Sequence, residues 1–194
     1  MFSAAKIRKK SNFGFAEDTF LYLCTMKTTL FLVRHGETVD NAAQIMQGQT
    51  QGELNEKGMR QARELRDKLE SEQLDAIVAS DLYRSVQTAE ILAEPHHLNV
   101  EKTPLLRERD WGSFTGRFIP SLKGETWPDD IESLDALKAR AARFLDFVRS
   151  EYEGKTVLAV GHGIINKAIQ AVFYGKQMPE VERMQNCDVR ILNL

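Results

Sequence analysis

The stretch Thr28–Thr38 (TTLFLVRHGET) decides the fold, because it joins a short apolar run to a charged turn. Its first half, Thr28–Val33, has the length and composition of a buried strand. A second stretch, Thr156–Gly163 (TVLAVGHG), has the same arrangement, with an apolar run that leads into His162 between two glycines. In parallel α/β sheets, ligand-binding residues lie beyond the carboxyl ends of the strands. The two histidine turns are therefore predicted to lie at the same edge of one sheet.

The rest of the chain alternates between helical and strand patterns. Asn55 is a typical N-cap, and apolar residues follow it at helical spacing (Met59, Ala62, Leu65 and Leu69). Further helices are predicted at Leu82–Leu92, Leu134–Val148 and Ile164–Tyr174, and further strands at Asp75–Ala79, Leu98–Lys102 and Asp188–Leu194. Residues 104–128 have no period, since glycine and proline interrupt them. The pattern predicts an α/β fold: a three-layer sandwich with a mostly parallel central sheet, helices on both faces, and one edge strand that could run antiparallel.

Length and composition limit the classes of protein to which the chain can belong. Its 194 residues, 42% of them hydrophobic, fit one compact domain. Basic and acidic residues nearly balance (26 and 28), whereas nucleic-acid-binding domains usually have a basic excess. A nucleic-acid partner is therefore not expected, and no run approaches the ~18 apolar residues of a membrane span. The two cysteines, Cys24 and Cys187, are predicted to be reduced thiols, which favours a cytoplasmic location.

Residues 1–26 are predicted to be an N-terminal extension, flexible or loosely packed, that precedes a domain at residues 27–194. The segment Ala4–Lys10 is basic, like the beginning of a signal peptide. Acidic residues such as Glu17 and Asp18 interrupt the apolar stretch that a signal peptide needs next. The sequence therefore favours an extension over secretion.

The turn after the first strand has residues suited to chemistry on a phosphate group. Arg34 has a planar guanidinium that can bind two phosphate oxygens. The neutral imidazole of His35 is a candidate nucleophile for phosphorus. Gly36 is expected to leave room for a phosphate next to the backbone. Glu37 is expected either to orient the imidazole or to pair with an arginine.

Two further segments are predicted to reach the same place. Ser80–Arg84 follows a predicted strand and begins a helix, so Arg84 should lie at the same sheet edge. Glu108 precedes an irregular loop and is a candidate general acid, with a structural ion pair to a neighbouring arginine as the alternative. Those neighbours, Arg107 and Arg109, could reach a second anionic group on a substrate or simply be solvated.

Four motifs, in this order, resemble those of the histidine phosphatase superfamily, also called phosphoglycerate mutase-like. They are RHGET (34–38), SDLYRSVQTAE (80–90), LRERDWGSFTG (106–116) and VGHG (160–163). The resemblance extends from about Lys27 to the C-terminus and is specific because all four motifs occur together. It implies a catalytic domain of this family at residues 27–194.

The resemblance also implies roles for individual residues. His35 would be the phosphorylated nucleophile and Glu108 the proton donor, and His162 would assist catalysis by binding the phosphoryl group. The other implied phosphate-binding residues are Arg34, Asn41, Arg84 and Gly163. For this family neither a metal ion nor another cofactor is expected.

Three functions remain open at this point. The first is metal-independent hydrolysis of a small phosphomonoester through a phosphohistidine. The second is phosphoryl transfer of the phosphoglycerate mutase type, and the third is a catalytically silent phosphate-binding module. The segment between Gly116 and the next predicted helix is short. The resemblance implies that mutases of this family have a longer insertion there, so the short segment favours hydrolysis. Asn41 could be only a turn residue, and the substrate and the oligomeric state stay open.

Overall fold

A computed structural model describes residues 27–194, and the extension predicted at residues 1–26 lies outside the described residues. The described chain forms a five-stranded sheet. Its strands are β1 (Thr29–Arg34), β2 (Ala76–Ser80), β3 (Val100–Thr103), β4 (Thr156–Gly161) and β5 (Val189–Asn193). They lie in the order β3-β2-β4-β1-β5, so the two strands that lead to the histidines, β1 and β4, are neighbours.

The first four strands are parallel, and β5 runs antiparallel to β1 at one edge of the sheet. The direction of β5 follows from the segment that precedes it. Residues 175–188 return the chain to the carboxyl end of β1, where the Cys187 N–H donates to the Arg34 carbonyl and the Arg34 N–H donates to the Asp188 carbonyl. A strand that starts there can only run back along β1. The prediction of a mostly parallel sheet with one edge strand is confirmed, and that strand is antiparallel.

Helices cover both faces of this sheet, as predicted. They are α1 (Val39–Ala42), α2 (Glu56–Leu69), α3 (Tyr83–Ala93), α4 (Leu134–Glu151) and α5 (Gly163–Tyr174). Alternate residues of β1 serve opposite faces: Leu30 and Leu32 belong to one apolar core with α4 and α5, whereas Phe31 and Val33 belong to the other with α2 and α3. Burial on both faces explains why the strands are continuous apolar runs.

Side chains cap the helices whose beginnings the sequence indicates. The Asn55 side chain accepts from the Gly58 N–H at 2.8 Å and caps α2. Ser133 accepts from the Ala136 N–H at 3.1 Å and caps α4. Helix α5 has no capping side chain at its own N-cap, His162, so its first N–H groups need another partner.

The irregular region forms short 3₁₀ turns instead of longer elements. They span Pro104–Leu106, Gly112–Phe114 and Ile119–Leu122, with two more at Glu94–His96 and Met178–Glu180. The predicted strand Leu98–Lys102 begins two residues late, at Val100. Within residues 27–194, none of the helices has both the length and the hydropathy needed to cross a bilayer.

Candidate active site

A cavity of about 220 Å³ opens at the carboxyl-terminal edge of the sheet. Strand β1 ends in Arg34 and leads into His35, and the turn after β2 places Arg84 in the first turn of α3. The edge that the parallel pattern predicts is thus the edge where these side chains meet. The residues that line the cavity are Arg34, His35, Asn41, Ile45, Met46, Gln47, Gly48, Arg84, Glu108, Trp111, Ile119, Ile164 and Arg183.

His35 is buried in the wall of this cavity, and one hydrogen bond fixes its imidazole. Its Nδ1 lies 2.7 Å from the carbonyl oxygen of Gly36. Because a carbonyl only accepts, Nδ1 carries the proton and the lone pair of the neutral ring is on Nε2. Burial, followed by the charges of Arg84 and Arg34, lowers the pKa of His35 well below its ordinary value. The imidazole is therefore held neutral, the form that a nucleophile requires.

His162 lies next to His35 and is completely buried. The centroids of the two rings are 4.9 Å apart and their planes are inclined by 62°. Neither ring nitrogen of His162 has a hydrogen-bond partner among the described residues. Burial, followed by the charges of Arg84, His35 and Arg34, lowers its pKa well below the ordinary value. A neutral ring has one N–H donor, so His162 has an unused donor beside His35.

Arg84 connects the cavity to the loop that forms its rim. Its Nη1 donates to the carbonyl oxygens of Thr50 and Gln51, and its Nη2 donates to that of Gly48 at 2.8 Å. The Nε–H is buried and has no partner in the described chain. Burial lowers the pKa of Arg84 to about 10, which leaves the guanidinium charged at neutral pH. Arg84 thus stabilises the loop through its two Nη groups, while its Nε–H is unpaired within the described chain.

Arg34 is also anchored through a main-chain carbonyl, in this case one from the C-terminal part of the chain. Its Nη1 donates to the Met184 carbonyl at 2.8 Å, and its buried Nε–H has no partner among residues 27–194. Burial lowers its pKa, with a further contribution from the like charge of Arg183. Both predicted arginines therefore combine a main-chain anchor with an unused Nε–H donor.

The carboxylate of Glu108 caps helix α5 from a distant loop. Its Oε1 accepts from the N–H groups of Ile164 at 3.1 Å, Ile165 at 3.2 Å and Arg109 at 2.8 Å, while Oε2 shares only the Ile164 N–H. This cap supplies the partners that the first N–H groups of α5 lack locally. The alternative of an ion pair with an adjacent arginine is wrong, because Glu108 is bound through main-chain donors. Oε2 is therefore the less engaged of the two carboxylate oxygens.

The neighbours of Glu108 have other partners. Arg107 forms an ion pair with Asp81, with Nε 2.8 Å from Oδ1. Arg109 donates to the Glu132 carbonyl and stacks on the indole of Trp111 at 4.8 Å from the ring centroid. Neither guanidinium lines the cavity.

Asn41 lines the cavity as part of an amide network. Its Nδ2 donates to Gln47 Oε1 at 3.2 Å, and its Oδ1 accepts from Asn186 Nδ2 at 3.3 Å. Gly163 is the first residue of α5, and a Cβ built on it would lie 3.6 Å from the Nε atoms of both Arg34 and Arg183. Phosphate binding by Asn41 and Gly163 stays a prediction.

Two interpretations of the first turn are wrong. A Cβ on Gly36 would lie 2.6 Å from the Gly58 carbonyl oxygen, so this glycine makes room for α2 and not for a phosphate. The Glu37 carboxylate pairs with Lys57 Nζ at 2.7 Å and accepts from Asn55 Nδ2 at 2.9 Å. It therefore fixes the turn to the beginning of α2 and does not orient His35.

The segment between α5 and β5 contributes residues that the sequence patterns do not indicate. Arg183 lines the cavity, and Asn186 Nδ2 donates to the main-chain carbonyl of His35 at 2.9 Å. The main-chain carbonyl of Met184 anchors Arg34. An irregular segment has no period, so only its adjacency to β1, known from the sheet, places these residues at the site.

Buried polar atoms without a partner concentrate in the wall of this cavity and in His162 directly beside it. Among residues 27–194 there are six such side-chain atoms, and four of them belong to Arg34, Arg84 and His162. Leaving a buried donor unpaired costs about 1–3 kcal/mol, so native structures seldom keep several together without a ligand to bind. Two cationic N–H donors and a neutral imidazole around one hollow are suited to an anion with several oxygens.

The lowered pKa values of His35 and His162 predict a pH-dependent stability. Well above pH 6.5 both rings are neutral in the folded and the unfolded chain. Below pH 6.5 the unfolded chain binds protons at these positions and the folded chain does not, so the free energy of unfolding should fall by up to about 1.4 kcal/mol per pH unit for each histidine. Urea unfolding at pH 7.0, 6.0 and 5.5 measures this slope. His35→Gln should reduce it, and an undiminished slope in that variant would contradict the assignment.

Comparison with known proteins places these features in a family. The family model of the histidine phosphatase superfamily (branch 1) matches residues 30–194. The uncharacterized phosphatase PhoE of Bacillus subtilis is 35% identical over 171 residues, which cover 86% of this chain and 88% of that protein. The probable phosphoglycerate mutase GpmB of Yersinia enterocolitica is 34% identical over 177 residues, covering 82% of each. A mycobacterial glucosyl-3-phosphoglycerate phosphatase has a similar structure, with a TM-score of 0.76, 28% identity, and coverage of 85% of this chain and 89% of that one.

All four motifs quoted from the sequence lie within the matched range, and the relatives are named as phosphatases and as a mutase. The chain is therefore an enzyme that acts on phosphate esters, and it belongs to the histidine phosphatase superfamily.

Proposed function

We propose that the protein hydrolyses small phosphomonoesters through a phosphohistidine formed on His35, without a metal ion. One observation carries the proposal: His35, with the lone pair on Nε2, lines a cavity together with Arg34 and Arg84, each of which has an unused Nε–H. The ring of His162, with no partner for either nitrogen in the described chain, lies 4.9 Å from that of His35. This combines a neutral nucleophile with donors for the oxygens on which negative charge builds up in phosphoryl transfer.

In the first step, His35 Nε2 attacks phosphorus and the bond to the ester oxygen breaks. The two arginines and His162 bind the non-bridging oxygens. A phosphate dianion next to Glu108 repels a second negative charge, so its binding favours uptake of a proton by the carboxylate. Oε2 then gives that proton to the leaving oxygen, while Oε1 keeps its N–H contacts to α5.

In the second step, water attacks the phosphohistidine and the N–P bond breaks. Glu108 takes a proton from the attacking water, which restores its role as acid for the next cycle. Inorganic phosphate leaves, and His35 is again neutral with its proton on Nδ1. The donor to the leaving group and the base for water are thus the same carboxyl group.

A phosphoglycerate mutase is the second candidate, supported by the relatives that carry that name. A mutase would pass the phosphoryl group from His35 to another hydroxyl of the bound product instead of to water. Analysis of the products of 3-phosphoglycerate distinguishes the two functions. We expect free phosphate and glycerate, whereas accumulation of 2-phosphoglycerate without phosphate release would establish the mutase.

Chelation of metal ions is expected to leave the rate unchanged. Arg34, Arg84 and His162 already supply the charge and the donors that a metal ion would otherwise supply to the phosphoryl oxygens. Rates measured before and after dialysis against EDTA test this. A loss of activity that Mg²⁺, Mn²⁺ or Zn²⁺ restores would reject the metal-free mechanism.

The expected partner is a small phosphate ester. The cavity of about 220 Å³ is below the usual range of about 300–1,000 Å³ for ligand pockets, which supports a compact metabolite. We also propose a cytoplasmic location, on the basis of the reduced thiols that the sequence predicts.

A further inference from the structure

Arg183 lies at the mouth of the cavity beside one of the phosphate-binding arginines. It belongs to the segment between α5 and β5, its side chain is exposed, and it is one of the residues that line the cavity. Its Nε and Nη2 atoms each lie 3.6 Å from the position that a Cβ on Gly163 would occupy, and so does Nε of Arg34. Two guanidinium groups thus lie next to Gly163 at the beginning of α5, where the Glu108 carboxylate accepts from the Ile164 and Ile165 N–H groups.

The other arginines around the site have carboxylate or main-chain carbonyl partners. Arg34, Arg84 and Arg109 donate to carbonyl oxygens. Arg107 pairs with Asp81, Arg140 with Glu132, and Arg190 lies 3.8 Å from Glu182 and Asp188. In the described part of the chain, Arg183 has neither an ion pair nor a hydrogen bond. Its charge lowers the pKa of Arg34, so placing the two groups together is unfavourable in the empty site. An arrangement of this kind is stabilised when an anion binds.

We propose that Arg183 binds a carboxylate of the substrate while Arg34, Arg84 and His162 bind the phosphoryl group. The proposal rests on the proposed function and adds a substrate class, the phosphomonoesters of small carboxylic acids. A free guanidinium matches a carboxylate because its planar fork can donate two parallel hydrogen bonds. One guanidinium offsets the single negative charge of a carboxylate but only part of the charge of a second phosphate, and the small cavity leaves room only for a short carbon chain between the two anions.

Matched pairs of esters test the role of Arg183. 3-Phosphoglycerate and glycerol 3-phosphate differ only by a carboxylate in place of a hydroxymethyl group, and phosphoserine and phosphoethanolamine differ only by a carboxylate. We expect the natural chain to have a higher kcat/KM for the acid of each pair. Arg183→Gln should lower the ratio of kcat/KM for the acid to that for its partner by about tenfold or more, the usual effect of losing a hydrogen bond between charged groups.

A control variant distinguishes a direct contact between Arg183 and the carboxylate from a general effect of losing one positive charge. Arg190→Gln removes one positive charge from the same terminal segment, and Arg190 does not line the cavity, so the ratio should stay as it is. Equal losses for both members of a pair in Arg183→Gln would overturn the proposal, since Arg183 would then serve the phosphoryl group. A natural chain that does not prefer the acids would overturn it as well.

Measurements of substrate affinity test the role of Arg183 without relying on turnover. Calorimetry on His35→Ala compares the Kd of 3-phosphoglycerate with that of glycerol 3-phosphate, with and without Arg183→Gln. If the natural chain hydrolyses neither ester, the proposed function fails, but a carboxylate preference that depends on Arg183 would still support the site. Equal affinities for the two esters would exclude it.

Discussion

Replacement of His35 by alanine is expected to lower the rate of phosphoester hydrolysis by at least about 10⁴-fold, because it removes the atom on which we propose that the covalent intermediate forms. The side chain is buried in the cavity wall and forms a single hydrogen bond, from Nδ1 to the Gly36 carbonyl. The sheet and both apolar cores are built from other residues. The variant should therefore keep the fold while it loses the chemistry.

Phosphoenzyme trapping gives this prediction its most direct measurement. Brief mixing of the natural chain with a labelled phosphoester and quenching in base should leave one acid-labile phosphoryl group, on Nε2 of His35, because Nδ1 donates to Gly36. His35→Ala should show no such label, with an unchanged circular dichroism spectrum. His96→Ala is the matched control, a histidine outside the cavity, and should behave like the natural chain. A folded His35→Ala protein with a near-normal rate would exclude His35 as the nucleophile.

Glu108→Gln is expected to lower the rate by about 10²–10⁴-fold for alkyl phosphates such as glycerol 3-phosphate, the range typical of a lost general acid. The substitution preserves shape and leaves one oxygen to accept from the N–H groups of Ile164, Ile165 and Arg109. It removes only the proton that Oε2 would give to the leaving oxygen. The cap of α5, and with it the position of His162, should survive.

The dependence on the leaving group distinguishes an acid from a structural residue. p-Nitrophenolate leaves without a proton, so formation of the phosphohistidine from p-nitrophenyl phosphate should be much less affected by Glu108→Gln. Its hydrolysis should still be slow, because the same residue activates water, and a burst of about one nitrophenolate per enzyme should precede slow turnover. Glu125→Gln removes an exposed carboxylate outside the cavity and should have no effect. Equal losses for both esters, without a burst, would contradict the acid assignment.

The elements of the fold could be predicted where burial gives the sequence a period. Strands β1 and β4 are continuous apolar runs because helices cover both faces of the sheet. In α4, the buried residues Leu137, Ala141 and Phe144 recur at helical spacing. The direction of β5 could not be predicted, since alternation is the same for a parallel and an antiparallel strand. It depends on how residues 175–188 return to β1.

The candidate site could likewise be predicted from the sequence only in part. His35, Arg84 and His162 could be predicted to meet because each follows a strand of one parallel sheet. The contact between Gly36 and Gly58 could not, because it joins a turn to a helix through close backbone approach, and a glycine in the sequence does not say what it makes room for. Arg183 and Asn186 lie in a segment without a period, and the N–H contacts of Glu108 depend on the path of an irregular loop.

The way in which Met184 anchors Arg34 has a consequence for the divergence of this enzyme. The anchor is a main-chain carbonyl, so it does not depend on the identity of the side chain at that position. The next residue towards the N-terminus is Arg183, whose side chain is free of structural partners in the described chain. Mutation can therefore sample new side chains at position 183 while the anchor of Arg34 stays in place. With Arg183 in the role proposed above, substitution of this one exposed residue would change the preferred substrate without loss of the phosphate-binding groups, so substrate preference could diverge without an inactive ancestor.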